Sequence, residues 1–319
     1  MPSKNANLRK ADWTKNDEFY TQLSDIENEL RHYKEHFKWK TVLCNCDDPR
    51  ISNFFHYFAY NFEHLWLKRL ITTCYKNQNP DLFSQYKSEK AVYLIYDWDK
   101  NWNHIPDPEE IWIRELKWDG DFRSEECIEL LKQADIVCTN PPFSIAREYF
   151  LPLLLKHNKK FLIVGDVNWI SYKNIFPLIK DNIIWTWYNY IKSFLQPNWE
   201  IKKFGNKLRF TNLDIKKRHE DLIMYKKYNP EDYQKFDNYD AININKISEI
   251  PEDYYWIMWV PISFIDKYNP EQFEIIEWLN RYTVLDLDWR NEWARKNHIH
   301  FTCIDWKPKF FRILIRRKK

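Results

Sequence analysis

Ala134-Asp135-Ile136-Val137-Cys138-Thr139-Asn140-Pro141-Pro142-Phe143-Ser144-Ile145-Ala146-Arg147-Glu148 is the stretch whose reading decides the fold. Its first part, Ala134 to Thr139, is a short apolar run before a turn, which predicts a buried strand. Ser144 to Glu148 reads as a helix start. Between them stand one amide side chain, two prolines and an aromatic ring. The residue before a proline is biased to extended backbone, and each proline has a fixed φ and no N–H. The Asn140 side-chain oxygen and the Pro141 carbonyl are both able to accept from one exocyclic amine, Pro142 stiffens the turn, and Phe143 suits stacking on a flat base. The same four residues also suit a plain turn. Their place at a strand end, where open α/β sheets put ligands, favours binding.

Outward from this stretch, helices and strands alternate. A helical pattern runs from Gln22 to about His36, a strand over Thr41–Cys46, a helix from Phe54 to about Leu65 and a strand over Leu67–Cys74. An insertion with a hairpin around Asp97 follows, then a strand over Ile111–Leu116 and a helix over Glu125–Lys132. After Ile136–Thr139 come a helix over Ala146–His157, a strand over Phe161–Val167, a helix over Tyr172–Ile179 and a strand over Ile183–Trp187. This predicts an α/β fold with a mostly parallel sheet and helices on both faces. Three polar turns, 47–53, 119–124 and 140–143, fall at strand ends. After about residue 190 short β-type runs (Leu208–Ile215, Trp256–Phe264, Phe310–Ile315) take over. We therefore divide the chain into a catalytic domain, 1–190, and a β-rich extension, 191–319, that grips a partner.

Composition bounds the function. The 319 residues carry 44% apolar side chains, no run long enough to span a membrane and no visible secretory signal. Six cysteines without zinc-type pairs read as reduced thiols of a cytoplasmic protein, and Cys44-Asn45-Cys46 reads as strand. His298 and His300 lack a third ligand nearby, so no metal site is expected. The net charge is only +3, but basic residues gather at Lys202, Lys203, Lys207, Arg209, Lys216, Lys217, Arg218, Lys226 and Lys227, and again from Arg312 to the end. Such a face suits phosphate, although any one cluster also reads as a solvated surface.

A nucleotide-like cofactor needs carboxylates for its hydroxyls and amines, and Asp47, Asp48 and Asp121 are placed to supply them. Phe122 suits covering an adenine ring while Asp121 accepts from its amine. Asp121 also reads as an acid at a helix N-terminus, with Ser124 as the cap. There is no Gly-x-Gly-x-x-Gly and no Walker loop.

The chain has three glycines and 17 tryptophans. Average usage of about 7% would give ~22 glycines in this length. Tryptophan stands at turn positions: Lys38-Trp39-Lys40 before the first strand, and Asp97-Trp98-Asp99-Lys100, Asn198-Trp199-Glu200 and Asp305-Trp306-Lys307, where Asp-Gly or Asn-Gly hairpin turns would fit. An indole at φ > 0 is a poor choice. We expect many of these tryptophans to be glycines in nature, from a gene whose UGA codons are read as glycine.

Asn45 to Phe55, Asp119-Gly120-Asp121-Phe122-Arg123-Ser124 and Thr139-Asn140-Pro141-Pro142-Phe143-Ser144 together resemble the EcoRI-type adenine-specific DNA methyltransferases. So do Asp17 to Gln22, Thr211-Asn212-Leu213-Asp214, Trp259 to Phe264 with Gly for Trp259, and Phe311 to Ile315. The resemblance runs in order over nearly the whole chain; where the family has glycine this chain often has tryptophan, notably at 39, 66, 118, 256 and 259. It implies a Rossmann-like sheet, S-adenosylmethionine as cofactor and transfer of methyl to the exocyclic amine of adenine in duplex DNA, as one half of a type II restriction–modification pair. It implies cofactor contacts from Phe19, Tyr20, Thr21, Asp47, Asp48, Pro49, Asp121 and Phe122, and a catalytic set of Asn140, Pro141, Pro142 and Phe143. DNA contacts are expected from Lys202, Lys203, Lys216, Lys217 and Arg218. The target amine is buried in a base pair, so the adenine must be flipped out. The expected enzyme is a monomer that shares its site with a cognate endonuclease without a stable complex. The alternatives are methylation of an RNA adenine or a protein glutamine, and a non-catalytic nucleic-acid binder that stacks bases on its many aromatics.

Overall fold

The computed structural model describes residues 20–45, 52–74, 91–98, 110–117, 120–141, 146–195, 200–237, 239–279, 303–304, 307–308 and 312–319. Phe19, Asp47, Asp48, Pro49, Pro142, Phe143, Trp118, Trp199, His298, His300 and Trp306 lie outside the described residues. The chain forms two compact units, residues 1–167 with 186–213, and residues 168–185 with 214–319.

In the first unit β1 (Tyr20–Thr21), α1 (Leu23–Leu30) and α2 (Lys34–Phe37) lead to β2 (Thr41–Asn45), α3 (Asn53–Tyr60) and β3 (Arg69–Cys74). Next come β4 (Val92–Tyr96), β5 (Ile111–Glu115), α4 (Glu125–Gln133) and β6 (Ile136–Thr139). A π-helical turn (Ala146–Phe150) runs into α5 (Leu151–Lys156), and β7 (Lys160–Asp166) follows. The chain passes through α6 (Phe176–Lys180) of the second unit and β8 (Trp185–Thr186), then returns with β9 (Ile191–Leu195) and β10 (Ile201–Thr211).

The strand order is β1-β9-β10-β7-β6-β2-β3-β4-β5. β7, β6, β2 and β3 are parallel. The flanking pairs, β3 with β4, β4 with β5, β7 with β10, β10 with β9 and β9 with β1, are antiparallel. The sheet is therefore mixed, not mostly parallel. A parallel pair needs a long crossover, whereas β4–β5 and β9–β10 are consecutive strands that fold back on each other. β9 and β10 thus extend the first unit's sheet. β4 and β5 pair Tyr96 with Ile111, so residues 97–110 connect them. Asp97 is not the tip of a tight hairpin. It receives Arg69 Nε at 2.5 Å instead.

Every residue of β2 and β6 is buried, as a strand covered on both faces requires. α3 buries Phe54, Phe55, Tyr57, Phe58 and Ala59, and Phe58 meets Phe37 edge-on with centroids 5.1 Å apart. Burying such a ring contributes about 1.5–3 kcal/mol. A buried ion pair sits in this core. Glu29 of α1 accepts from the backbone N–H of Tyr188 and of Asn189, each at 2.9 Å, and from Arg209 of β10.

The second unit holds β11 (Ile242–Asn243), β12 (Ile257–Pro261), β13 (Phe273–Leu279), β14 (Cys303–Ile304), β15 (Lys307–Pro308) and β16 (Arg312–Arg317). Four of these form a sheet in the order β11-β12-β16-β13. Its core gathers Trp259, Phe236, Ala241, Ile304 and Leu314. Trp259 is a buried strand residue here, 4.8 Å from the Phe236 ring, so its backbone gives no sign of glycine; nor do Trp98 and Trp256, whose φ is not positive. Among the described residues no helix is long and apolar enough to cross a membrane.

Candidate active site

β5 runs parallel to β3, because β4 is antiparallel to both. The turns after β2, β5 and β6 therefore leave the same edge of the sheet, as the sequence predicts. At that edge the last residues of β2 and β6 are tied together: the Thr139 hydroxyl donates to the Asn45 carbonyl. Asn140 follows at once, half-buried with its Oδ1 shielded from solvent, and Pro141 is buried.

The turn after β5 reaches the same region through Phe122. Its ring is buried edge-on against Phe150, 5.3 Å between centroids, in the helical turn that follows the Asn140 segment. Phe122 thus fastens the turn after β5 to the helical segment that follows β6, a role that no local sequence signal announces. Gly120 takes φ 83° here, a left-handed value that suits glycine. Ser124 caps α4 by accepting from Cys127 N–H at 3.3 Å. Asp121 accepts from Arg123 N–H at 2.8 Å and from its Nε at 2.9 Å. These guanidinium hydrogen bonds outweigh burial and hold the Asp121 carboxyl below the usual carboxylate range.

β1 is tied to the start of α3. Asn53, the first residue of α3, donates its amide to the Thr21 carbonyl at 2.8 Å, and Ser52 caps that helix through Phe55 N–H at 3.3 Å. The Tyr20–Thr21 segment is thereby fixed to the first turn of α3.

The family model for the adenine-specific methyltransferase EcoRI matches residues 7–318. The chain belongs to that family. It is 45% identical to the type II methyltransferase M.EcoRI of Escherichia coli over 98% of this chain and 96% of that one. It is 35% identical to the type II methyltransferases M.MgeORF184P of Mycoplasma genitalium and M.MpnI of Mycoplasma pneumoniae, again over 98% of this chain and 99% and 98% of theirs. No solved structure matches the chain. The protein is an adenine-specific methyltransferase, and its sheet is the Rossmann-like one expected of that chemistry. The glutamine and non-catalytic readings are set aside by this membership.

A methyltransferase needs a methyl donor, and the strand ends offer unfilled acceptors for one. Asn45 Oδ1 and Thr21 Oγ1 are buried without a hydrogen-bond partner. Leaving such an atom unpaired costs about 1–3 kcal/mol. Polar N–H and O–H groups of a nucleotide cofactor fit these atoms. Thr21 is among the residues that the sequence assigns to the cofactor, whereas Asn45 reads there only as strand. The signal for Asn45 is its amide directly after the apolar run Val42-Leu43-Cys44 of a fully buried strand.

The basic residues divide. Lys202 and Lys203 are exposed on β10 of the first unit, and Lys216 is exposed in the second. Lys217 is half-buried, and Arg218 is buried with its guanidinium 3.7 Å from the Trp185 ring. Lys207 is also inside, 2.9 Å from Asp166 at the end of β7.

Proposed function

We propose that the protein methylates the exocyclic amine of adenine in duplex DNA, with S-adenosylmethionine as donor, as the modification half of a type II restriction–modification pair. The single observation that carries this is the tie between Thr139 and Asn45, which sets the Asn140–Pro141 acceptors beside a buried, unpartnered acceptor at the end of the next strand.

S-adenosylmethionine supplies an activated methyl on a sulfonium. Asn45, Thr21 and the Asp121 turn are assigned to hold it. Asn140 Oδ1 and the Pro141 carbonyl accept the two hydrogens of the target amine, which localises its lone pair and aims it. Phe143 stacks on the flipped base, an interaction worth roughly 1–3 kcal/mol by analogy with single-strand binders. Most of the rate comes from positioning. Lys202 and Lys203 of the first unit and Lys216 and Lys217 of the second neutralise phosphates.

Incubation with methyl-labelled S-adenosylmethionine and duplex DNA or RNA of the same sequence tests this. Label on N6 of adenine in duplex DNA is expected. Label on RNA with none on DNA overturns the substrate.

A further inference from the structure

We propose that the protein made in its own cell carries glycine, not tryptophan, at residues 39 and 66. Among the described residues four non-glycine residues have a left-handed φ: Trp39 at 60°, Trp66 at 53°, Asn158 at 51° and Asn182 at 65°. Three of them occupy one position of one motif. Leu67 N–H bonds Phe62 O at 3.1 Å while Trp66 N–H bonds Glu63 O at 3.0 Å. Lys159 and Asn158 repeat the pair toward Leu154 and Leu155 at 2.9 and 3.0 Å. Ile183 and Asn182 repeat it toward Leu178 and Ile179 at 2.8 and 3.1 Å. This double bond pattern ends a helix with one left-handed residue, a place that glycine fills and asparagine tolerates. The chain uses asparagine at two of the three and an indole at the third.

Trp39 stands in a different turn, just before β2. Lys40 N–H bonds Phe37 O at 3.0 Å, and Trp39 N–H bonds Trp66 O at 2.7 Å. The two left-handed turns are thus laced together where β2 and β3 begin. Burial does not compensate either indole for this backbone. They are 61% and 57% exposed and meet chiefly each other, with centroids 5.6 Å apart. With three glycines against 17 tryptophans, one cause accounts for all of this: UGA codons decoded as glycine in the source cell. Other tryptophans are used as such. Trp187 is buried with the Arg209 guanidinium 4.8 Å from its ring.

The deciding measurement is the mass of the peptide spanning residues 37–41, and of that spanning 63–68, from protein purified from its source cell. Glycine masses are expected, and tryptophan masses overturn the proposal. In recombinant protein, Trp39→Gly with Trp66→Gly should raise the melting temperature, while Trp187→Gly lowers it. A fall for the 39/66 double variant overturns the proposal just as directly.

Discussion

Glu29 and Arg209 meet 3.4 Å apart with both side chains wholly out of solvent, although 180 residues separate them. Glu29 also receives Tyr33 Oη at 3.3 Å and the Asn189 side-chain amide at 2.8 Å, so its charge is fully hydrogen-bonded. Burial pushes the Arg209 guanidinium below its ordinary value and the Tyr33 hydroxyl far above. Glu29→Ala strands the guanidinium and two backbone N–H groups. We expect a loss of about 3–5 kcal/mol, the usual range for breaking a buried pair. Urea unfolding measures it, and a loss below about 1 kcal/mol would show that water replaces the carboxylate.

Asn140→Ala should abolish methyl transfer and leave S-adenosylmethionine affinity nearly intact, because its amide is assigned to the target amine. Asp121→Ala should weaken cofactor binding first. Calorimetric titration of both variants, beside single-turnover transfer, separates the roles. Equal loss of cofactor affinity in the two would move Asn140 to the donor side.

Asp121 also gives a pH dependence. Its folded pKa lies below the unfolded value of 3.8 because Arg123 hydrogen-bonds the carboxylate. The stability from this pair is complete above that unfolded value and is lost as pH falls through the folded one. Asp121→Asn should be less stable than wild type at neutral pH, with the gap closing in acid. Urea midpoints across pH check this; a gap constant down to acid unfolding would remove Arg123 as the cause.

Alanine at Lys202, Lys203, Lys216 and Lys217 should each flatten the salt dependence of DNA binding, by roughly 0.9 in the log–log slope for each phosphate that is no longer neutralised. Arg218→Ala should behave differently. The guanidinium is buried on Trp185, so its removal should lower the melting temperature and leave the slope unchanged. Filter binding from low to moderate salt distinguishes the two behaviours. An unchanged slope in the four-lysine variant would place the DNA-gripping face elsewhere.

The elements nearest the site are legible in sequence because their signals are local. A buried run followed by Asn140-Pro141 marks β6 and its turn, and Ser124 announces the helix it caps. The left-handed turn at Trp39 is also legible, since a residue that stands where a turn must enter a strand needs glycine-like freedom. Pairing is not. Sequence marks Leu208 to Ile215 as β-type but neither reaches back to Ile201 nor says that β10 lies against β7, because the choice of neighbour rests on packing between distant segments. Local pairing explains Asp121 as well. Its acidity suggests a free acceptor, yet Arg123, two residues on, folds back onto it.

The tie between Thr139 and Asn45 has a consequence for motion. Two parallel strands joined at their last residues cannot splay, so the ground on which Asn140 stands and the end of β2 move as one piece. Thermal drift then shifts the two strand ends together. A misplacement of about 1 Å can slow a reaction a hundredfold. On the proposed function, this one hydroxyl couples the strand end before Asn140, assigned to the target amine, to the strand end that carries Asn45, assigned to the donor.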